Sequence, residues 1–146
     1  MSNPPTEVFL SHSKQDRAEA QRLVRVLSKH GVPVFFSPRN IVGAQQWQNE
    51  ILGALRRCDW FMVLLSPGAI DSMWVKREVA FALQDPRYED KIIPLKYRDC
   101  DLKSLQWLTL FQMINFGGDF GGGCLSLLRI WGIGLRQEHL REDDIS

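Results

Sequence analysis

Trp60 to Leu65 is an unbroken apolar run, with Trp60, Phe61, Met62, Val63, Leu64 and Leu65 leaving neither parity polar. A strand with one wet face alternates, so this run belongs to a strand covered on both faces. The rest of the chain fits that demand. Val8-Phe9-Leu10, Val32 to Phe36, Lys91 to Leu95 and Phe111 to Phe116 read as four further strands. Helical spacing lies between them. Ala20, Leu23, Val24 and Leu27 form one apolar stripe, and Trp47, Ile51, Leu52 and Leu55 a second. A third helix is expected from a Ser72 cap to Leu83, stopped by Asp85-Pro86. Cys124, Leu127, Leu128, Trp131 and Leu135 give the last helix its stripe. Alternating strands and helices predict a flavodoxin-like α/β fold: a five-stranded parallel sheet in the order 2-1-3-4-5, with helices on both faces.

Local signals refine this outline. Asp16 with Glu19 three residues on resembles a capping box, and Gly31 suits the position just past a helix. Pro94 is expected near the end of its strand. Residues 99–110 are open between a short helix and an irregular connection. The glycines at 117, 118 and 121–123 read as a flexible hinge, and Glu138 to Ser146 as a frayed acidic tail. No internal repeat or second domain is evident. The expectation is one domain over residues 1–146, with its core at about 6–135.

A chain of 146 residues buries about 70% of its unfolded surface and needs no metal or disulfide to hold a core. Eighteen Lys+Arg against 17 Asp+Glu leave a net charge of +1. That balance supports no bulk attraction to nucleic acid or to an anionic membrane. Cys58, Cys100 and Cys124 are odd in number and form no CxxC pair, which fits a reducing compartment. His12, His30 and His139 are scattered, without HExxH or a Cys/His cluster, so no metal is expected. The first residues, Met1 to Glu7, lack basic and apolar leader regions. No apolar run approaches the ~18 residues of a membrane span. A soluble cytoplasmic protein is expected.

In this fold order, ligands bind where the strand connections diverge, at the carboxyl ends of strands one and three. That directs attention to Ser11–Asp16 and Ser66–Glu78. Trp74 and Glu78, four apart, share a helix face near its start, while Val75, Val79 and Ala82 take another. An indole beside a carboxylate at a crevice mouth can grip a ribose, the ring packing on sugar or base and the carboxylate accepting from hydroxyls. The same pair also reads as a half-buried Trp beside a solvated Glu. Other motifs are weaker. Ser11 and Ser13 lack a G-x-S-x-G setting, and the glycines match neither a Walker loop nor GxGxxG. Arg17, Arg22, Arg25 and Lys29 read as a solvated helix face, and His30 as a helix-end cap.

Several of these segments together resemble a Toll/interleukin-1 receptor (TIR) domain of the bacterial NAD-cleaving type. Val8-Phe9-Leu10-Ser11-His12-Ser13 resembles the family's first box. Val34-Phe35-Phe36-Ser37, the loop to Gly43, and Trp47 resemble its second strand and BB loop. Trp60 to Pro67 followed by Asp71 to Glu78 resemble the third strand and the helix bearing Trp-x-x-x-Glu. The likeness runs from about residue 6 to 135. It implies one of two activities. Some members cleave NAD+ at the nicotinamide–ribose bond, giving ADP-ribose or a cyclic isomer that activates an effector in anti-phage defence. Others only scaffold signalling complexes. A phosphate or flavin binder sharing the fold is a third, weaker option. By the resemblance the motif glutamate falls on Glu78 and the tryptophan on Trp74. Ser11, His12, Ser37, Arg39, Trp47 and Ser66 fall on loops bordering the site. Ser37 stands where many members have Asp. The expected ligand is NAD+ as substrate, with no cofactor. The expected partners are a downstream effector sensing the nucleotide product and a second copy, met through the loop Ser37–Gln46.

Overall fold

The computed structural model describes residues 4–36 and 43–138. Five strands, β1 (Val8–Ser11), β2 (Val34–Phe36), β3 (Trp60–Leu65), β4 (Ile92–Lys96) and β5 (Ile114–Asn115), form one parallel sheet in the order β2-β1-β3-β4-β5. This is the expected flavodoxin-like arrangement. Alternation along the strands sorts side chains into two layers. Val8, Leu10, Trp60, Met62, Leu64, Ile93 and Leu95 pack with α1 (Arg17–Lys29) and α6 (Phe120–Ile130). Phe9, Phe61, Val63 and Leu65 pack on the other face, with residues of α3 (Gly53–Arg57), α4 (Pro67–Asp71) and α5 (Met73–Gln84). The apolar run of β3 is buried throughout, because helices cover both faces.

The segment before β3 is a continuous helical run. α2 (Ala44–Gln46) passes through a wider π-helical stretch, Trp47–Leu52, into α3. Pro94 sits in the middle of β4, not near its end. The Lys96 carbonyl accepts from the Phe116 N–H at 2.8 Å, so alternate residues Pro94 and Lys96 turn their backbone groups toward β5. Pairing with β5 starts only at Leu95, so the missing proline N–H deprives no ladder partner.

The open stretch 99–110 contains a short helix, the 3-10 run Lys103–Leu110. Three further expectations are corrected. The fifth strand is only Ile114–Asn115. Gly121, Gly122 and Gly123 are no hinge but the first turns of α6, where Asp119 caps the helix by accepting from the Gly122 N–H at 2.8 Å. Glycine is required at 123 because α6 lies against Phe116; a Cβ there would come within 2.6 Å of the ring's Cε2. Finally, α6 stops at Ile130, since Gly132 turns left-handed at φ 71°. Leu135 therefore meets the core from an irregular segment. The acidic tail lies largely outside the described residues.

Candidate active site

Ser11 is the last residue of β1 and shares parity with Phe9, so its hydroxyl faces the layer holding α5. There it donates to Glu78 Oε1 at 2.6 Å, and both residues are closed to solvent. On α5 the buried residues are Val75, Glu78, Val79 and Ala82. Glu78 thus lies at the edge of the core-facing stripe, where the spacing had set it apart from Val75, Val79 and Ala82. Ser72 caps the helix as expected, accepting from the Val75 N–H at 3.3 Å. The pair is a desolvated carboxylate held by a hydroxyl donor at the carboxyl end of a central strand. Such a group can stabilise positive charge developing beside it.

A second buried carboxylate stands nearby in the fold. Asp16 does not cap α1 through its side chain. It accepts from Ser13 Oγ at 2.7 Å and from Ser66 Oγ, and its other oxygen lies 4.0 Å from Arg98 Nη1. Arg98 also donates to Glu19 at 3.0 Å. Ser66 in turn accepts from the Ala69 N–H at 3.2 Å and so caps α4. The spacing Ser13-x-x-Asp16 was the available signal, but it resembles a helix start. Only the approach of the β3 end shows that Asp16 faces inward. A polar cleft of about 370 Å³ opens beside this clasp, lined by Ser13, Lys14, Gln15, Pro67, Gly68 and Asp71 among others. It lies at the expected divergence of strand connections. A larger cleft of about 610 Å³, between α5 and the Lys103–Leu110 run, is apolar, with Leu83, Trp107 and Leu110 on its walls. Its polar lining residues are Lys76 and Gln84.

The remaining expected residues are dispersed. His12 is buried, stacked on Phe36 with ring centroids 4.7 Å apart, and the Arg17 guanidinium lies 4.4 Å from the same Phe36 ring. Trp74 is half-buried against the apolar layer, with Arg77 over its ring at 5.5 Å. Ser37 and Arg39 lie outside the described residues, as do Ile41 and Val42 of the loop Ser37–Gln46. Trp47 opens the π-helical stretch, and its side chain is likewise outside the description. His30 caps α1 as expected: Arg136 N–H donates to Nε2 at 2.9 Å, so the proton on Nδ1 is given to the Val26 carbonyl at 2.7 Å. Burial pushes the Cys58 thiol up to about 12 and raises Cys100 as well. Among the described residues no group of three His, Cys, Asp or Glu could hold a metal ion, and no helix is long and apolar enough to cross a membrane.

Residues 8–121 match the family described as the TIR domain. Among solved structures, the TIR domain of a Toll-related receptor from Hydra magnipapillata is similar, with a TM-score of 0.63 at 18% identity over 94% of this chain and 97% of that one. A diflavin flavoprotein A3 from Nostoc sp. superposes with a TM-score of 0.52 at 16% identity, over 99% of this chain and 98% of that one. At such identities these likenesses bear on the fold alone. No curated protein matches the sequence.

Proposed function

We propose, from the premise that this chain belongs to the TIR domain family, that it cleaves NAD+ at the nicotinamide–ribose bond with Glu78 as its catalytic group. The observation that carries this reading is the buried Ser11–Glu78 pair at 2.6 Å. As the bond from C1′ to the pyridinium nitrogen breaks, the electron pair leaves with nicotinamide. The leaving group is neutral and needs no general acid. Positive charge spreads over C1′ and the ribose ring oxygen, as in other glycosyl transfers. A carboxylate fixed beside the ribose stabilises that charge and orients the hydroxyls. Water then adds to C1′ to give ADP-ribose, or a nucleophilic atom elsewhere in the same substrate adds to give a cyclic isomer. Either route releases one proton. No cofactor or metal enters the scheme. His12, Ser37, Arg39, Trp47, Ser66 and Trp74 would border the substrate.

Glu78 is closed to solvent, so contact with NAD+ requires that covering groups move. Self-association through the loop Ser37–Gln46 would supply that rearrangement. On this reading the nucleotide product is a cytoplasmic signal, sensed by an effector in anti-phage defence. The full burial of Glu78 also favours a second reading, a non-catalytic interaction module in which the pair is a strut. Purified protein incubated with NAD+, with products identified by mass spectrometry, tests both. ADP-ribose or a cyclic isomer, lost in Glu78→Gln, supports the enzyme. Unchanged NAD+ at every protein concentration leaves the interaction module.

A further inference from the structure

Asp16 has no place in the scheme above, yet it is a buried carboxylate with three polar neighbours. We propose that Asp16 is a positioning residue for Glu78, clasping the two loops from which the Ser11–Glu78 pair is hung. This rests on the NAD-cleaving reading and assigns a further residue to the same site.

The argument follows the chain from each side of the pair. Ser11, the donor to Glu78, ends β1, and Ser13 lies two residues on in the same connection. Ser13 is bonded to Asp16 at 2.7 Å. Glu78 lies on α5, which follows α4 through Ser72. The first turn of α4 is held by Ser66, and the hydroxyl of Ser66 donates to the same Asp16 carboxylate. One side chain therefore ties the segment carrying the donor to the segment leading into the helix of the acceptor. The loops approach so closely that a Cβ on Gly68 would come within 3.1 Å of Ser13 Oγ. Arg98, after β4, faces the outer oxygen of Asp16 at 4.0 Å and keeps the carboxylate's charge balanced from the solvent side.

Both hydroxyls donate to the same oxygen, Oδ2, and an asparagine's amide oxygen could accept both in its place, so Asp16→Ala is the variant that opens the clasp. It removes the acceptor from both hydroxyls and leaves the two loops untied. A misplacement of ~1 Å next to a reacting group costs up to about a hundredfold in rate, while substrate affinity is kept because Asp16 is buried.

The test uses the full chain labelled with carbon-13 glutamate. The Glu78 carboxyl resonance is assigned by its loss in Glu78→Gln. In Asp16→Ala that resonance is expected to move, and kcat for NAD+ to fall with KM within about twofold, the split expected when only the transition state is affected. Ser13→Ala, the milder variant, removes one of the two hydroxyl donors and should shift the same resonance in the same direction. Adding it to Asp16→Ala should lower kcat no further, since the two act as a unit. In an active wild-type protein, a resonance or a kcat that stays unchanged in Asp16→Ala overturns the proposal. If Asp16→Ala fails to fold, Ser13→Ala carries the same two readouts with the same consequences. A wild-type protein inert toward NAD+ removes the enzyme reading on its own. The resonance then decides separately whether Asp16 positions Glu78.

Discussion

A carboxylate removed from water is costly unless donors replace the solvent, and Ser11 is one such donor to Glu78. Two consequences are measurable. Glu78→Gln keeps the volume of the side chain and removes its charge, so NAD+ cleavage should fall at least ~10²-fold with an unchanged circular dichroism spectrum. A variant retaining a tenth of wild-type turnover would show that the charge at Glu78 is not needed. Trp74 separates a ligand contact from a packing role. Its ring is half-buried against the apolar layer, so Trp74→Ala should cost about 2 kcal/mol, below the range for fully buried Trp. If the ring also meets the substrate, activity measured well below the melting temperature should drop by more than that loss explains. Equal fractional losses in the two assays would leave Trp74 a packing residue.

At the scale of elements, glycine is informative where a neighbour comes close. The run Gly121-Gly122-Gly123 suggests slack, yet it opens a helix laid on Phe116. Gly123→Ala is expected to cost about 1–3 kcal/mol by overpacking against that ring, despite the better helix propensity of alanine. A variant that melts at or above the wild-type temperature would contradict the close approach. Asp119→Ala should lose about 1 kcal/mol as the N-cap of the same helix, read as a melting shift of a few degrees. These positions were opaque in the sequence because spacing reports which face a helix buries, not how near its backbone comes to a strand. Pro94 is a similar case: its tolerance depends on where β5 begins beside it, which the β4 residues do not encode.

Across the whole molecule, the catalytic reading and the closed state of Glu78 must be reconciled. If association opens the site, specific activity should rise steeply with protein concentration or with a crowding agent. Specific activity that is constant from nanomolar to tens of micromolar would leave a self-sufficient monomer. The sheet order concentrates the polar groups in question at one edge. The ends of β1 and β3 bring Ser11, Ser13, Asp16 and Ser66 together, and α5 returns Glu78 to them.

The sequence by itself determined the layered α/β class, the five strands and the Ser72 cap. Each rests on local spacing: two for strands, 3.6 for helices, and a hydroxyl just before a helix's first turn. It also marked Glu78 and Ser11, by their motif and by their place at a strand end. What only the tertiary structure decided is how these groups pair. The bonds from Ser11 to Glu78 and from Ser66 to Asp16 span 67 and 50 residues. Their partners are chosen by the order and register of β1 beside β3, which no local window of the chain contains. For the same reason Asp16, which resembles a helix cap when read along the chain, turns inward to hold two loops together.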